Sequence, residues 1–106
     1  MVIDFEAQLW VWDARRADTW TFVSLPVAAS EELRDRTAGA RRGFGSIRVR
    51  AAISTPTGSH TWTTSIFPDG RRGCYVLPVK RAVRTAARLE PGDTAPVRVE
   101  PVGVPL

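Results

Sequence analysis

The sequence predicts a mainly β fold, a small closed barrel of about six to seven strands with two short helices. Three observations support this. Residues 2–12 and 46–53 alternate apolar and polar side chains, as half-buried strands do. Turn signals separate further runs rich in β-branched and aromatic residues. The length of 106 residues is that of one domain, so we expect residues 1–106 to form a single β-barrel domain.

The first strand, residues 2–12, places its aliphatic residues on one face and its acids on the other, so one face belongs in the core. Trp10 and Trp12 fall on the polar face. The first helix or the C-terminal tail must cover them there, or they form an apolar patch suited to a partner or to self-association. Residues 19–25 read as the second strand, which Pro26 ends.

Two segments are predicted to be helical. Residues 27–38 carry acids near their start and a glycine stop, Gly39, at their end. Residues 79–89 combine an apolar side, expected to face the barrel, with a basic side expected to face solvent. Residues 94–102 are the last strand, after a Pro-Gly turn.

Two successive hairpins, built on strands 46–53, 60–67 and 73–79, allow a prediction of register. Pairing Ala51 with Trp62, and Thr64 with Tyr75, collects the apolar side chains on one face, which should be the core. A closed or nearly closed barrel then removes exposed sheet edges.

Several segments, in this order and spacing, resemble one family. They are 20–26 (WTFVSLP), 43–53 (GFGSIRVRAAI), 62–68 (WTTSIFP), 73–83 (GCYVLPVKRAV) and 90–94 (EPGDT). They are similar to the bacterial and archaeal "domain of unknown function 1905" family, over about residues 5–99. The resemblance implies a small closed Greek-key barrel related to double-psi barrels. It implies no established activity, cofactor or catalytic residue.

The net charge of +4 is unevenly distributed along the chain. Up to Thr37 there are seven acidic and four basic residues, and after it eleven basic and four acidic ones. A basic half can attract phosphates or an acidic partner. The candidate binding residues are Arg48 and Arg50 on a strand, Arg71 and Arg72 at a hairpin tip, and Lys80, Arg81, Arg84 and Arg88 on the second helix.

Nucleic-acid binding by this basic face also needs exposed aromatic rings beside the cations. The predicted register puts Trp62 and Tyr75 on the core face, and Trp10 and Trp12 lie in the acidic half. Phe44 is the only aromatic residue within an Arg-rich loop.

Catalytic and metal-binding motifs are not recognisable. The single Cys74 and single His60 fall far apart in the predicted sheet, so they do not form a nucleophile and base, and we expect no metal and no cofactor. Trp62 and Tyr75, with Lys80 just past the strand end, could instead line a small-molecule pocket or an active site at the barrel mouth.

The sequence therefore predicts a small, soluble, non-catalytic domain that binds or interacts with an unidentified partner. The alternative is a nucleic-acid-binding module that uses the basic face, and a third reading is the pocket or enzyme. A cytoplasmic protein is expected, because the sequence has no signal peptide and its longest uncharged stretch, 51–68, is too polar to span a membrane. No membrane partner is expected, and a homo-oligomer could form through Trp10 and Trp12.

Overall fold

A computed structural model describes residues 1–12, 20–38 and 45–103. Residues 13–19, the Arg-rich stretch that contains Phe44 and the last three residues of the tail lie outside these ranges. The described elements are, in chain order, β1 Ile3–Gln8, β2 Trp10–Val11, β3 Thr21–Ser24, α1 Val27–Arg36, β4 Ile47–Thr55, β5 Gly58–Asp69, β6 Cys74–Pro78, α2 Arg81–Ala87 and β7 Thr94–Pro101.

The strands form one antiparallel sheet in the order β1-β7-β4-β5-β6-β3-β2, curved into a half-barrel. The mainly β class with two helices is confirmed. Only Leu9 separates β1 from β2, although the two strands stand at opposite ends of this order. The Leu9 amide donates to the carbonyl of Asp93 (2.9 Å) and its carbonyl accepts from Gly92 (2.8 Å), so the turn before β7 holds the chain between the two strands.

The closed barrel predicted from the strand count is wrong at the level of strand pairing. The end strands of the sheet, β1 and β2, are not paired with each other. Each end strand has one strand partner, β7 for β1 and β3 for β2, so the two ends of the sheet are joined by the chain at Leu9 and not by a ladder of hydrogen bonds. The sheet is consequently a half-barrel with two helices packed on it.

The register of the first hairpin is confirmed, because Ala51 opposes Trp62. The register of the second hairpin is wrong, because Tyr75 opposes Pro68 and not Thr64. The two pairings differ by an even number of positions. Every side chain therefore stays on its predicted face.

The error in the second hairpin comes from its turn. The predicted strands, 60–67 and 73–79, put Pro68 and Asp69 in the turn between them, but both still belong to β5. The carbonyl of Asp69 accepts from the amide of Gly73 (2.9 Å), and one Asp69 carboxylate oxygen accepts from the amide of Arg71 (3.0 Å). Gly73 closes the turn at φ +67°, where a residue with a Cβ is disfavoured.

The core lies on the concave face of the sheet. The alternation of the first strand is confirmed by the burial of Ile3, Ala7 and Leu9. Helix α1 ends at Arg36, before the predicted position, and packs on β6 with Leu33 and Ser30 buried. The largest fully buried side chains are Tyr75, Leu9, Leu25, Leu33, Ile53, Ile66 and Leu77.

Helix α2 lies against β5 and β4 and is shorter than predicted. Arg88 leaves the helix in the left-handed conformation, at φ 57°. Ala82 and Ala86 were expected to face the sheet but are exposed, whereas Ala87 is buried and Val83 half-buried. No helix in the described ranges is long and apolar enough to cross a membrane.

Candidate binding surface

Three of the predicted basic residues lie next to β5, two of them on the outer face of the sheet, opposite the core. Arg48 and Arg50 project from β4 and are exposed. Across the β4–β5 ladder, Arg50 opposes Thr63. On the other side of β5, the Nζ of Lys80 donates to the carbonyl of Thr63 at 3.4 Å. Thr63 thus lies between the two elements, and we call Arg48, Arg50 and Lys80 the basic patch.

Carboxylates neutralise only part of the positive charge on this face. The Nη1 of Arg50 lies 3.5 Å from the Oε1 of Glu100. Where β1 pairs with β7, the Nε of Arg98 lies 2.7 Å from the Oδ1 of Asp4. The hydrogen bond from Arg98 lowers the pKa of Asp4 below its usual range. Among the described residues, Arg50 forms an ion pair, whereas neither Arg48 nor Lys80 does.

The remaining basic residues of the second helical segment do not form the single solvent-facing stripe that was predicted. Arg81 and Arg88 are exposed, but Arg84 is half-buried and its Nε has no hydrogen-bond partner within the described ranges. Lys80 precedes the helix and Arg88 follows it. Only Arg81 and Arg84 therefore have the helical spacing on which the predicted basic arc depended.

A second surface lies at the other end of the outer face. In the β2–β3 hairpin, Trp10 opposes Phe22, and the amide of Trp12 donates to the carbonyl of Trp20 at 3.0 Å. The four aromatic side chains share one face, with ring centroids of Trp10 and Phe22 5.1 Å apart and those of Trp20 and Phe22 6.2 Å apart. The β5–β6 turn adds a wall and encloses a groove of about 950 Å³. We call this the aromatic groove, defined by Trp10, Trp12, Trp20, Phe22, Arg71 and Arg72.

Arg72 links the turn to the groove. Its guanidinium carbon lies 3.9 Å from the centroid of the Trp10 ring, a cation–π contact, and its Nη1 donates to the carboxylate of Asp69 at 2.9 Å. The Nε1 of Trp10 donates to the Oγ of Ser24 at 3.0 Å. Trp10 is thereby fixed, whereas Trp12 and Trp20 are 64% and 57% exposed.

The carboxylate of Asp69 accepts hydrogen bonds from the backbone amide of Arg71 and the side chain of Arg72. Desolvation by partial burial raises the pKa of its carboxyl group, but hydrogen bonds from Arg72 and from the amides of Arg71 and Arg72 outweigh it. The net effect lowers the pKa of Asp69, so the carboxylate stays charged and holds Arg72 above Trp10 at neutral pH.

The aromatic groove could be predicted from the sequence in part. The sequence placed Trp10 and Trp12 on the polar face and left two alternatives, cover by α1 or the tail, or an apolar patch open to a partner. Neither α1 nor the described part of the tail lines the groove, and the β5–β6 turn covers Trp10 instead. Trp20 and Phe22 were missed, although the alternation of the second strand puts both on one face.

The two rings of the predicted pocket belong to the core, and Lys80 differs from them in exposure. Trp62 and Tyr75 are 9% and 0% exposed, as the predicted core register required, while Lys80 is exposed. The Nε1 of Trp62 donates to the carbonyl of Pro78 at 3.2 Å. Cys74 is also buried, and no three metal-ligating side chains come together in the described part of the chain.

These features define a small protein with a mainly β half-barrel and two cationic surfaces on its outer face, one of them lined with tryptophan. The family model described as "Domain of unknown function (DUF1905)" matches residues 5–99, and the chain belongs to this family. No curated protein matches the chain.

Proposed function

We propose that this chain acts by binding a partner, without catalysis, and that the aromatic groove is its binding surface. One observation carries the proposal: Trp12 and Trp20 expose most of their surface beside an arginine fixed over Trp10. Burying an exposed indole in a complex removes a large apolar area from water, and tryptophan and arginine are enriched at the energetic centres of interfaces.

The test uses anilinonaphthalene sulfonate, an anionic aromatic dye that fluoresces on apolar surfaces. The dye should bind the wild-type chain saturably, and Trp12→Ala and Trp20→Ala should each remove most of the signal. Val27→Ala is the matched control, because Val27 is 51% exposed on α1, away from the groove. An unchanged titration of both tryptophan variants would show that the groove is not a binding surface.

An acidic partner on the basic patch is the second candidate. The observation in its favour is that Arg48 and Lys80 both adjoin β5 and have no carboxylate partner among the described residues. Arg48→Ala combined with Lys80→Ala should then weaken binding of a polyanion such as heparin, whereas Arg36→Ala, whose partner Glu32 lies on α1, should not. Equal weakening by both changes would contradict a localised site.

Two finer features belong to the same proposal. The half-barrel is a relative of Greek-key and double-psi barrels, supported by the single residue, Leu9, that joins the two ends of the strand order. The domain works in the bacterial cytoplasm, supported by a lone buried thiol, Cys74, of the kind that stays reduced there. A wide gap between β1 and β3 in a crystal structure would contradict the relation to these barrels. Cell fractionation tests the location in the cytoplasm.

A further inference from the structure

We propose that the occupant of the aromatic groove is a single-stranded nucleic acid, whose unpaired bases stack on Trp12 and Trp20 and whose backbone extends to the basic patch. The inference rests on the proposed function of the groove and names its ligand. The proposed ligand would contact both the basic patch and the aromatic groove, which are distant from each other in the sequence.

The strand register connects the two surfaces along one continuous face. Arg48 opposes Ser65 on β5, and Phe67, two positions further on, opposes Val76 on β6. Val76 opposes Ser24 on β3, two positions from the Phe22 that opposes Trp10. Neighbouring strands lie about 4.8 Å apart, so the four steps from β4 to β2 cover roughly 20 Å of surface. A few nucleotides of a flexible strand cover such a path, within the footprint of small barrels that bind single strands.

The rings are available for stacking. Trp12 and Trp20 are mostly exposed, and Phe67 is exposed on the path between the two surfaces. One face of the Trp10 ring is covered by the guanidinium of Arg72. Trp10 therefore holds a cation in the groove, where the nucleic-acid backbone would lie. Aromatic stacking of a base is sequence-tolerant, and its loss weakens binding about 5- to 150-fold.

The charges match a polyanion. Arg71 is exposed at the groove, Arg48 and Lys80 lie at the other end, and none of the three forms an ion pair within the described ranges. Three phosphate contacts on a single strand predict a slope of about −2 in log affinity against log salt. Binding should then weaken about 20-fold between ~50 and ~200 mM salt.

A single strand fits this surface better than a duplex. The bases of a duplex are stacked on each other, and a protein reads them from the grooves with inserted helices or strands. The outer face instead offers indole rings beside separated cations. Unpaired bases expose the aromatic faces that such rings require.

The experiment measures fluorescence anisotropy of labelled oligothymidylate and oligouridylate of about 12 nucleotides, and of a duplex of equal length, at both salt concentrations. The single strands should bind more tightly than the duplex. Trp12→Ala and Trp20→Ala should each weaken them at least about 5-fold, and Val27→Ala should not. Arg48→Ala with Lys80→Ala should make the salt slope shallower by about 1.4.

Three results would overturn the inference. If no oligonucleotide binds at low salt while the dye still binds the groove, the ligand is wrong and the proposed function stands. Sedimentation then tests whether a second copy of the chain occupies the groove. If dye and oligonucleotides both fail, the inference and the proposed function fall together. If single strands and duplex bind equally and the tryptophan variants change nothing, the binding is unlocalised charge attraction.

Discussion

Tryptophan occupies both faces of the same curved sheet, with opposite consequences. Trp62 points from β5 into the core, where it is almost fully buried and hydrogen-bonded to Pro78. Trp12 and Trp20 point outward from the β2–β3 hairpin into solvent. Since successive side chains of a strand alternate between faces, position in the register decides the role of an indole. We expect the inner ring to contribute stability and the outer rings to contribute binding.

The largest expected effect tests the inner face. Trp62→Ala should lower the free energy of unfolding by about 3–5 kcal/mol, because it leaves a cavity and an unpaired carbonyl at Pro78. Urea unfolding measures the loss. If the variant does not fold, Trp62→Phe, which keeps most of the ring, should fold with a smaller loss. An unchanged midpoint for Trp62→Ala would place Trp62 outside the core.

The second prediction concerns the anchor of α1 on the same inner face. The buried Oγ of Ser30 accepts a hydrogen bond from the amide of Tyr75 at 3.0 Å. Ser30→Ala should cost about 1–3 kcal/mol of unfolding free energy, because it leaves a buried amide without its partner. Ser59→Ala is the control and should be nearly neutral, because Ser59 is exposed and its hydroxyl contacts that of exposed Ser54. Similar losses for both serines would argue against the buried bond.

The third prediction concerns the groove wall and is smaller. Asp69→Asn should cost at most about 1 kcal/mol, because the ion pair with Arg72 is partly exposed. The pKa of Asp69 is lowered in the folded state, so its contribution is present above the unfolded value of about 4 and is lost as the pH falls through the folded value.

The pH dependence provides the check. The difference in unfolding free energy between wild type and Asp69→Asn should be largest near neutral pH and should shrink in acid below pH ~4. The same variant should free Arg72 from its position over Trp10 and alter the indole fluorescence. A stability difference that grows toward low pH would contradict the role assigned to this carboxylate.

The smallest effect on stability is expected at the outer rings. Trp12→Ala and Trp20→Ala should change the unfolding free energy by no more than about 0.5 kcal/mol, as exposed substitutions usually do. Their effect on dye or oligonucleotide binding should be the larger one. If Trp12→Ala or Trp20→Ala lost as much unfolding free energy as Trp62→Ala, the outer rings would be structural, contrary to the prediction.

Local patterns of the sequence predicted the inner face well. The alternation of β1 and β4 and the pairing of Ala51 with Trp62 follow from strand periodicity and a short turn, and both are confirmed. The second hairpin failed because Pro68 was read as a turn residue, although the hydrogen bonds of Asp69 continue the strand past it.

The outer face could be predicted only in part, because it is assembled from distant segments. Nothing near Trp10 in the sequence indicates that Arg72 will lie over its ring. That contact requires β3 and β6 to pair, which brings the N-terminal hairpin beside the β5–β6 turn. The basic patch likewise depends on Thr63 lying between β4 and Lys80, a non-local arrangement that charge counting along the chain does not show.

The junction at Leu9 has a consequence for the order in which the domain assembles during synthesis. β2 finds its partner, β3, within the first quarter of the chain, but β1 pairs only with β7, which ends at Pro101. A ribosome adding about 5–20 residues per second must therefore translate nearly the whole chain before the first strand is covered. Until then the N-terminal strand has no strand to pair with, and its backbone groups are open to pairing with other nascent chains.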